Sequence, residues 1–286
     1  MILITGAAGN LGSAVINSLL KKVPANQLAA FVRSEQKAEQ LKKLGLNIRI
    51  GDYNDIASLD NAMKGIEKVL LISGMSMERL KEHTNVVDAA KRAGVKQIAY
   101  TGVTMKDAAV SPLKALMVSH FQTEDYIKAS GISYTFLRNT LYAEVIPFYI
   151  GDQALNTGIH YPAGAGRVPY VYRPDLADAA AVVMTNKGHE NKTYQLTGDQ
   201  LYSFTDVAGI LSEVSGKHIG YTDVDPVAFE KHMKELGVPE IGIMISTGFA
   251  AAIRQGDFEL LTNDLEKLLG RKPTPVKQYL KAHYVG

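Results

Sequence analysis

Short runs of apolar and β-favouring residues alternate along the chain with segments whose apolar positions recur at helical spacing. Ile2–Thr5, Leu28–Arg33, Leu46–Ile50, Val69–Ile72, Val95–Tyr100 and Ser133–Leu137 read as strands. After the first run, Leu11, Val15, Ile16, Leu19 and Leu20 share one helical face. Further helices are predicted over Ser34–Leu44 (Leu41 and Leu44 inward, Gly45 as its stop), Ile56–Met63, Glu78–Ala93 (Leu80, Val86, Val87 and Ala90 inward) and Lys114–Ser130. Strand and helix in strict alternation predict an α/β fold, a Rossmann-like doubly wound parallel sheet with helices on both faces. Such a sheet takes its ligands at the carboxyl ends of its strands, the edge that carries the turns at Gly6, Arg33, Asp52, Ser73 and Thr101.

From about Pro147 the alternation stops. Gly151–Gly166 is rich in glycine, with a short strand at Ile159–Tyr161. A helix start with acidic residues follows at Asp175. A strand over Tyr194–Thr197 and helices over Ser203–Ser215, Pro226–Leu236 and Ile241–Ala252 complete a looser α/β remainder. Residues 1–150 are expected to form a dinucleotide-binding domain, and 151–286 a smaller substrate lobe that partly returns to the sheet. No internal repeat or low-complexity linker intervenes, so the two parts are expected to pack together.

The chemistry is concentrated where the first strand meets the first helix. Gly6, Gly9 and Gly12 follow a buried strand and open a helix, the context a dinucleotide-binding turn requires. Gly6 would turn the chain, Gly9 would admit a diphosphate, and Gly12 would let the helix pack close. Backbone from Gly6 through Ala8, Gly9, Asn10 and Leu11 is therefore expected to cradle the phosphates at the positive end of the helix dipole. No Lys follows the last Gly, so a nucleoside triphosphate loop is excluded.

Arg33 stands about twenty residues on, where an NAD site would carry a carboxylate for the ribose hydroxyls. A guanidinium there pairs with a 2′-phosphate instead, so NADP(H) is the expected cofactor. Asp52 is a candidate for the adenine amino group, with turn chemistry as the equal alternative. Ile72, Ser73, Gly74 and Thr101 are expected beneath the cofactor. Leu137, Asn139 and Tyr142 are expected at its nicotinamide end, with Arg138 as a structural ion-pair partner.

Bulk composition narrows the classes. The 286 residues are 46% hydrophobic and 21% charged with a net charge of +2, which gives no basic block for nucleic acid. No apolar run approaches the ~20 residues of a membrane span, and with the first strand expected to begin at Met1 no leader is expected. The chain has no Cys, which excludes thiolate catalysis and Cys-ligated zinc and suits a cytoplasmic location. The seven His are scattered, with no metal-binding pattern, and no Gly-x-Ser-x-Gly elbow is present. Monomer and dimer both stay open.

Taken together, Gly6–Gly12, Arg33, Gly51-Asp52-Tyr53, Asp88–Val95, Tyr134–Asn139 and Asp175-Leu176-Ala177 resemble the atypical, NmrA-like branch of the short-chain dehydrogenase/reductase superfamily. Within it the chain is similar to the quinone reductase and triphenylmethane reductase group. The resemblance implies NADPH along the sheet edge, with Leu137–Tyr142 near the nicotinamide. The wider superfamily uses a Tyr with a Lys four residues later, yet none of the 14 Tyr here has one. On the long helix that slot reads His120-Phe-Gln-Thr-Glu124. His120 is a weak proton-donor candidate against the alternative of a buried, satisfied imidazole.

Without a Tyr/Lys acid, an unactivated ketone is a poor acceptor, because its reduction leaves a basic alkoxide. A flat conjugated electrophile such as a quinone yields a delocalised product, for which positioning is nearly sufficient. The expected activity is a direct NADPH-dependent hydride transfer to such acceptors, without metal or flavin. The alternative is a non-catalytic NADP-binding sensor.

Overall fold

A computed structural model describes residues 1–286. The strands are β1 (Ile2–Ile4), β2 (Leu28–Val32), β3 (Asn47–Ile50), β4 (Lys68–Ile72), β5 (Gln97–Val103), β6 (Ser133–Asn139), β7 (Ile159–His160), β8 (Lys192–Leu196) and β9 (Tyr221–Thr222). The helices of the first half are α1 (Asn10–Leu20), α2 (Glu35–Lys42), α3 (Ile56–Ala62), α4 (Arg79–Arg92), α5 (Lys114–Ser130), α6 (Ile146–Ile150) and α7 (Ala154–Thr157). Those of the second are α8 (Arg173–Thr185), α9 (Phe204–Ser215), α10 (Pro226–Glu235), α11 (Glu240–Arg254), α12 (Asp264–Leu269) and α13 (Val276–Tyr284).

Seven strands pair in parallel in the order β3-β2-β1-β4-β5-β6-β8. The inner strands are apolar on both faces because helices cover both. On one face Leu11, Val15, Ile16 and Leu19 of α1 pack with Leu176, Ala180 and Val183 of α8. Each such side chain contributes about 1.5–3 kcal/mol on full burial. On the other face Leu59 of α3, Val86, Val87 and Ala90 of α4, and Ile127 of α5 close over Leu71, Ile98 and Tyr100. A third cluster, with Tyr149, Tyr161, Tyr170, Phe204 and Phe249, lies mostly in the later chain around the β7–β9 pair.

The later chain contributes to two bodies. β8 extends the sheet, α8 covers it, and α12 packs on both, so residue 150 does not divide the sheet from everything after it. Asp175, buried in the first turn of α8, holds the segment between α12 and α13: it accepts from Arg271 Nη2 at 2.7 Å and from the Thr274 amide at 2.5 Å.

Two inward positions differ from the hydrophobic pattern. Leu44 is exposed beyond the end of α2. On α4 it is Arg79, not Leu80, that is fully buried. The central strands also run further than their apolar runs. Ile72, the last residue of β4, pairs with Thr101, and β5 and β6 continue in register through Val103 and Asn139. The carboxyl edge is therefore stepped, higher at β5 and β6 than at β4.

Candidate active site

The glycine turn behaves as its sequence requires. Gly6 takes φ +57°, in the left-handed region that favours glycine, and its carbonyl accepts from the Gly9 amide at 2.9 Å. α1 then starts with no side-chain cap and no acidic residue in its first turn, so its terminal amides have no anionic side chain competing for them. A Cβ on Gly12 would lie 2.2 Å from the Gly6 carbonyl oxygen, so any side chain would displace the loop.

This turn is one wall of a cleft of about 750 Å³ along the carboxyl edge. Gly6, Ala8, Gly9, Asn10, Leu11, Arg33, Ile72, Ser73, Gly74 and Tyr142 all line it. At one end Arg33 and Lys37 supply cations, beside Phe31 and Tyr53, whose rings stack at 5.7 Å and 8°. Glu82 also faces this cleft. At the other end Tyr142 lies beneath the Arg173 guanidinium, 5.0 Å from ring to charge. Arg173 in turn pairs with Glu144 at 3.5 Å, and the Glu144 carboxylate also accepts the Arg173 amide. Burial pushes both the Tyr142 phenol and the Glu144 carboxyl up from their usual values, with Arg173 opposing each shift.

Four expected cofactor residues do not line the cleft. The Asp52 carboxylate closes its own turn by accepting the Asn54 amide at 2.8 Å, and Tyr53 beside it faces the cleft instead. Thr101 is inside β5, where its hydroxyl accepts the Ser73 amide at 2.9 Å. Leu137 is core within β6. Asn139 lies behind Tyr142, donating from Nδ2 to the phenol oxygen at 3.3 Å, and its Oδ1 is buried without a partner. The stepped edge explains the strand residues: where β5 and β6 rise past β4, Thr101, Leu137 and Asn139 are still in the sheet. Lys37, Tyr53, Met75 and Arg173 were not singled out for the cofactor; only Tyr53, beside Asp52 in the same turn, carried a visible signal.

His120 does not reach the cleft. It is buried on α5, its Nδ1 2.8 Å from the Tyr100 hydroxyl, and Tyr100 in turn lies edge-on to His83. Burial, reinforced by the charge of Arg79, holds His120 well below its ordinary pKa and brings His83 down to about 3. Both imidazoles are therefore neutral at neutral pH, and neither is a proton donor to the cleft. Arg138 forms a two-pronged pair with the buried Glu124, at 2.9 and 2.6 Å, the structural role its position suggested. Nowhere do three or more His, Asp or Glu side chains gather as a ligand set for a metal ion.

The buried imidazoles make stability depend on pH. In the unfolded chain each titrates near 6.5, and in the folded protein far lower, so below 6.5 the unfolded state binds more protons. Stability is fully present above that point and falls by up to about 1.4 kcal/mol per pH unit for each histidine on acidification. Urea unfolding of a His120→Gln variant, which keeps a partner for the Tyr100 hydroxyl, should show a shallower loss between about pH 4 and 6.5. An unchanged slope would mean that His120 does not titrate with folding.

The fold recurs in known proteins. The chain matches the NmrA-like family model over residues 1–280. It is 40% identical over 283 residues to quinone oxidoreductase 2 of Escherichia coli, covering 97% of this chain and 96% of that one. It is 26% identical to an NAD(P)H azoreductase of Xenophilus azovorans, covering 99% and 98%. Among solved structures, the Citrobacter triphenylmethane reductase complexed with NADP(H) superposes with a TM-score of 0.92 at 42% identity, over 99% of this chain and 100% of that one. The E. coli NADPH-dependent quinone oxidoreductase complexed with NADPH gives 0.93 at 37%, over the whole of both chains. With a family model spanning nearly its whole length and a relative at this identity, the chain belongs to the NmrA-like family.

Proposed function

We propose that this protein is an NADPH-dependent reductase of quinones and similar flat, conjugated electrophiles. One observation carries the reading: a glycine-built anion cradle and a pair of cations, Arg33 and Lys37, line one continuous cleft. Its likeness to a quinone oxidoreductase and to a triphenylmethane reductase supports the same choice. The cradle suits a diphosphate, because a Cβ at Gly12 would close it and no acidic side chain opposes the anion at the start of α1.

In this reading the amides at the start of α1 bind the diphosphate, and Arg33 and Lys37 pair with the 2′-phosphate. The stacked Phe31 and Tyr53 rings flank the adenine. Asn139 acts through Tyr142, fixing its hydroxyl at the opposite end, where Arg173 caps the ring. Bound NADPH supplies a hydride from its reduced nicotinamide. A quinone accepting that hydride becomes a delocalised hydroquinone anion, whose weak basicity lets water deliver the proton. The chain accordingly positions the partners, with no side chain required to act as an acid. The lobe around the β7–β9 pair is assigned the acceptor, and the absence of Cys suits a reducing cytoplasm.

Mixing the purified protein with NADPH and benzoquinone should consume NADPH with repeated turnover, and a cationic triphenylmethane dye should be decolourised. Tight NADPH binding with no turnover on any quinone or dye would instead identify a nucleotide sensor.

A further inference from the structure

Arg79 is a buried cation that the cleft does not use directly. It is 1% exposed, on the first turn of α4, and no carboxylate pairs with it. Its Nε and Nη2 both donate to the Gly74 carbonyl, at 3.0 and 2.9 Å. Nη1 reaches across to α5, donating to the Leu116 carbonyl at 2.5 Å and to the Ser119 hydroxyl at 2.6 Å. A guanidinium stays charged in a protein, so its desolvation must be offset by these oxygens. Burial indeed lowers it from its ordinary value.

The target of this fork is the turn after β4. Ile72, Ser73, Gly74, Met75 and Ser76 all line the cleft. The amides of Ile72 and Ser73 are taken by the Thr5 and Thr101 hydroxyls, both at 2.9 Å, and the Gly74 carbonyl is taken by Arg79. Three side chains, from Thr5 just after β1, Thr101 of β5 and Arg79 of α4, therefore fix successive backbone groups at the end of β4 and in the turn that follows it. Of these, only Arg79 also ties the turn to α5, whose Met117 and preceding Leu113 belong to the core cluster of the lobe.

We propose that Arg79 is a positioning residue that holds the Ser73–Gly74–Met75 turn against α5 and so sets the bed for the nicotinamide half of the dinucleotide. The proposal rests on the NADPH reading of the cleft. Strand order supports the placement: the cations and the Phe31–Tyr53 stack lie toward β2 and β3, whereas β4 lies on the other side of the glycine turn of β1. Arg79 thus acts on the part of the ligand beyond the diphosphate, through Gly74, without touching it.

The test compares two ligands on the full-length protein by calorimetric titration: NADPH, and adenosine 2′,5′-bisphosphate, which reaches only the adenosine end. Arg79→Met should weaken NADPH about tenfold or more, as expected for losing charge-assisted hydrogen bonds, while the bisphosphate stays within about twofold. Arg79→Lys keeps the charge and guards against a folding failure. One ammonium cannot span the Gly74 and Leu116 carbonyls and the Ser119 hydroxyl together, so the same selective loss should appear in smaller degree. Equal weakening of both ligands, or NADPH affinity unchanged in both variants, would overturn the role of Arg79. A parent protein that binds neither ligand would overturn the cofactor reading itself.

Discussion

Replacing Arg33 with Ala should weaken NADPH by about a hundredfold and leave NADH nearly unchanged. The arithmetic starts from the interaction removed. Hydrogen bonds to a charged group contribute about 1.5–3 kcal/mol each, and a guanidinium can give a phosphate two in parallel. Arg33 is exposed at the end of β2 and lines the cleft, so its loss leaves no buried partner stranded and should not disturb the fold. Lys37, in the first turn of α2, lines the same end and keeps part of the attraction as a point charge. For that reason Arg33→Ala with Lys37→Ala should lose more than either change alone. Fluorescence titration with both nucleotides reads the effect directly. An equal loss for NADPH and NADH would remove the 2′-phosphate from the account, because only that group distinguishes the two.

Arg33 was legible because position and chemistry coincided: a cation at the end of the second strand, where other dinucleotide sites carry an acid. The sheet was legible for a related reason. Strands buried on both faces must be apolar throughout, and β2 and β4 are apolar runs that turns interrupt cleanly. What escaped the sequence depended on contacts between distant segments. The ends of β5 and β6 are set by pairing in register to Val103 and Asn139, which converts Thr101 and Asn139 from turn residues into buried supports. Arg173 reaches the cleft only because α8 packs beside α1. The periodicity of α4 put Leu80 inward, but the open carbonyls of Gly74 and Leu116 gave a guanidinium a better reason to be buried than a leucine had. His120 looked like an acid on the helix where the superfamily keeps its Tyr/Lys pair. Its neighbours Tyr100, His83 and Arg79 instead make it a neutral core residue.

The glycine turn allows the sharpest separation of fold from ligand. Gly12→Ala should abolish measurable NADPH binding and lower the stability of the whole chain. Its new Cβ would lie 2.2 Å from the Gly6 carbonyl oxygen and 2.8 Å from the Ala7 Cα, both backbone atoms that no rotamer change can move aside. Relief requires the loop to shift away from α1, which dismantles the phosphate cradle and loosens Leu11, Val15 and Ile16 against the sheet. Overpacking of this kind costs about 1–3 kcal/mol, occasionally more. At Gly74 a Cβ would meet no heavy atom within 4 Å, although the residue lines the same cleft. Gly74→Ala should therefore melt with the parent protein and weaken NADPH only through the methyl group that now occupies the bed. Thermal melting and nucleotide titration of the two variants give the comparison. If Gly12→Ala bound NADPH as the parent does, the close approach of α1 to its own turn would not be what shapes the cradle. A large fall in melting temperature for Gly74→Ala would mean that the turn after β4 is part of the fold's support rather than a surface for the ligand.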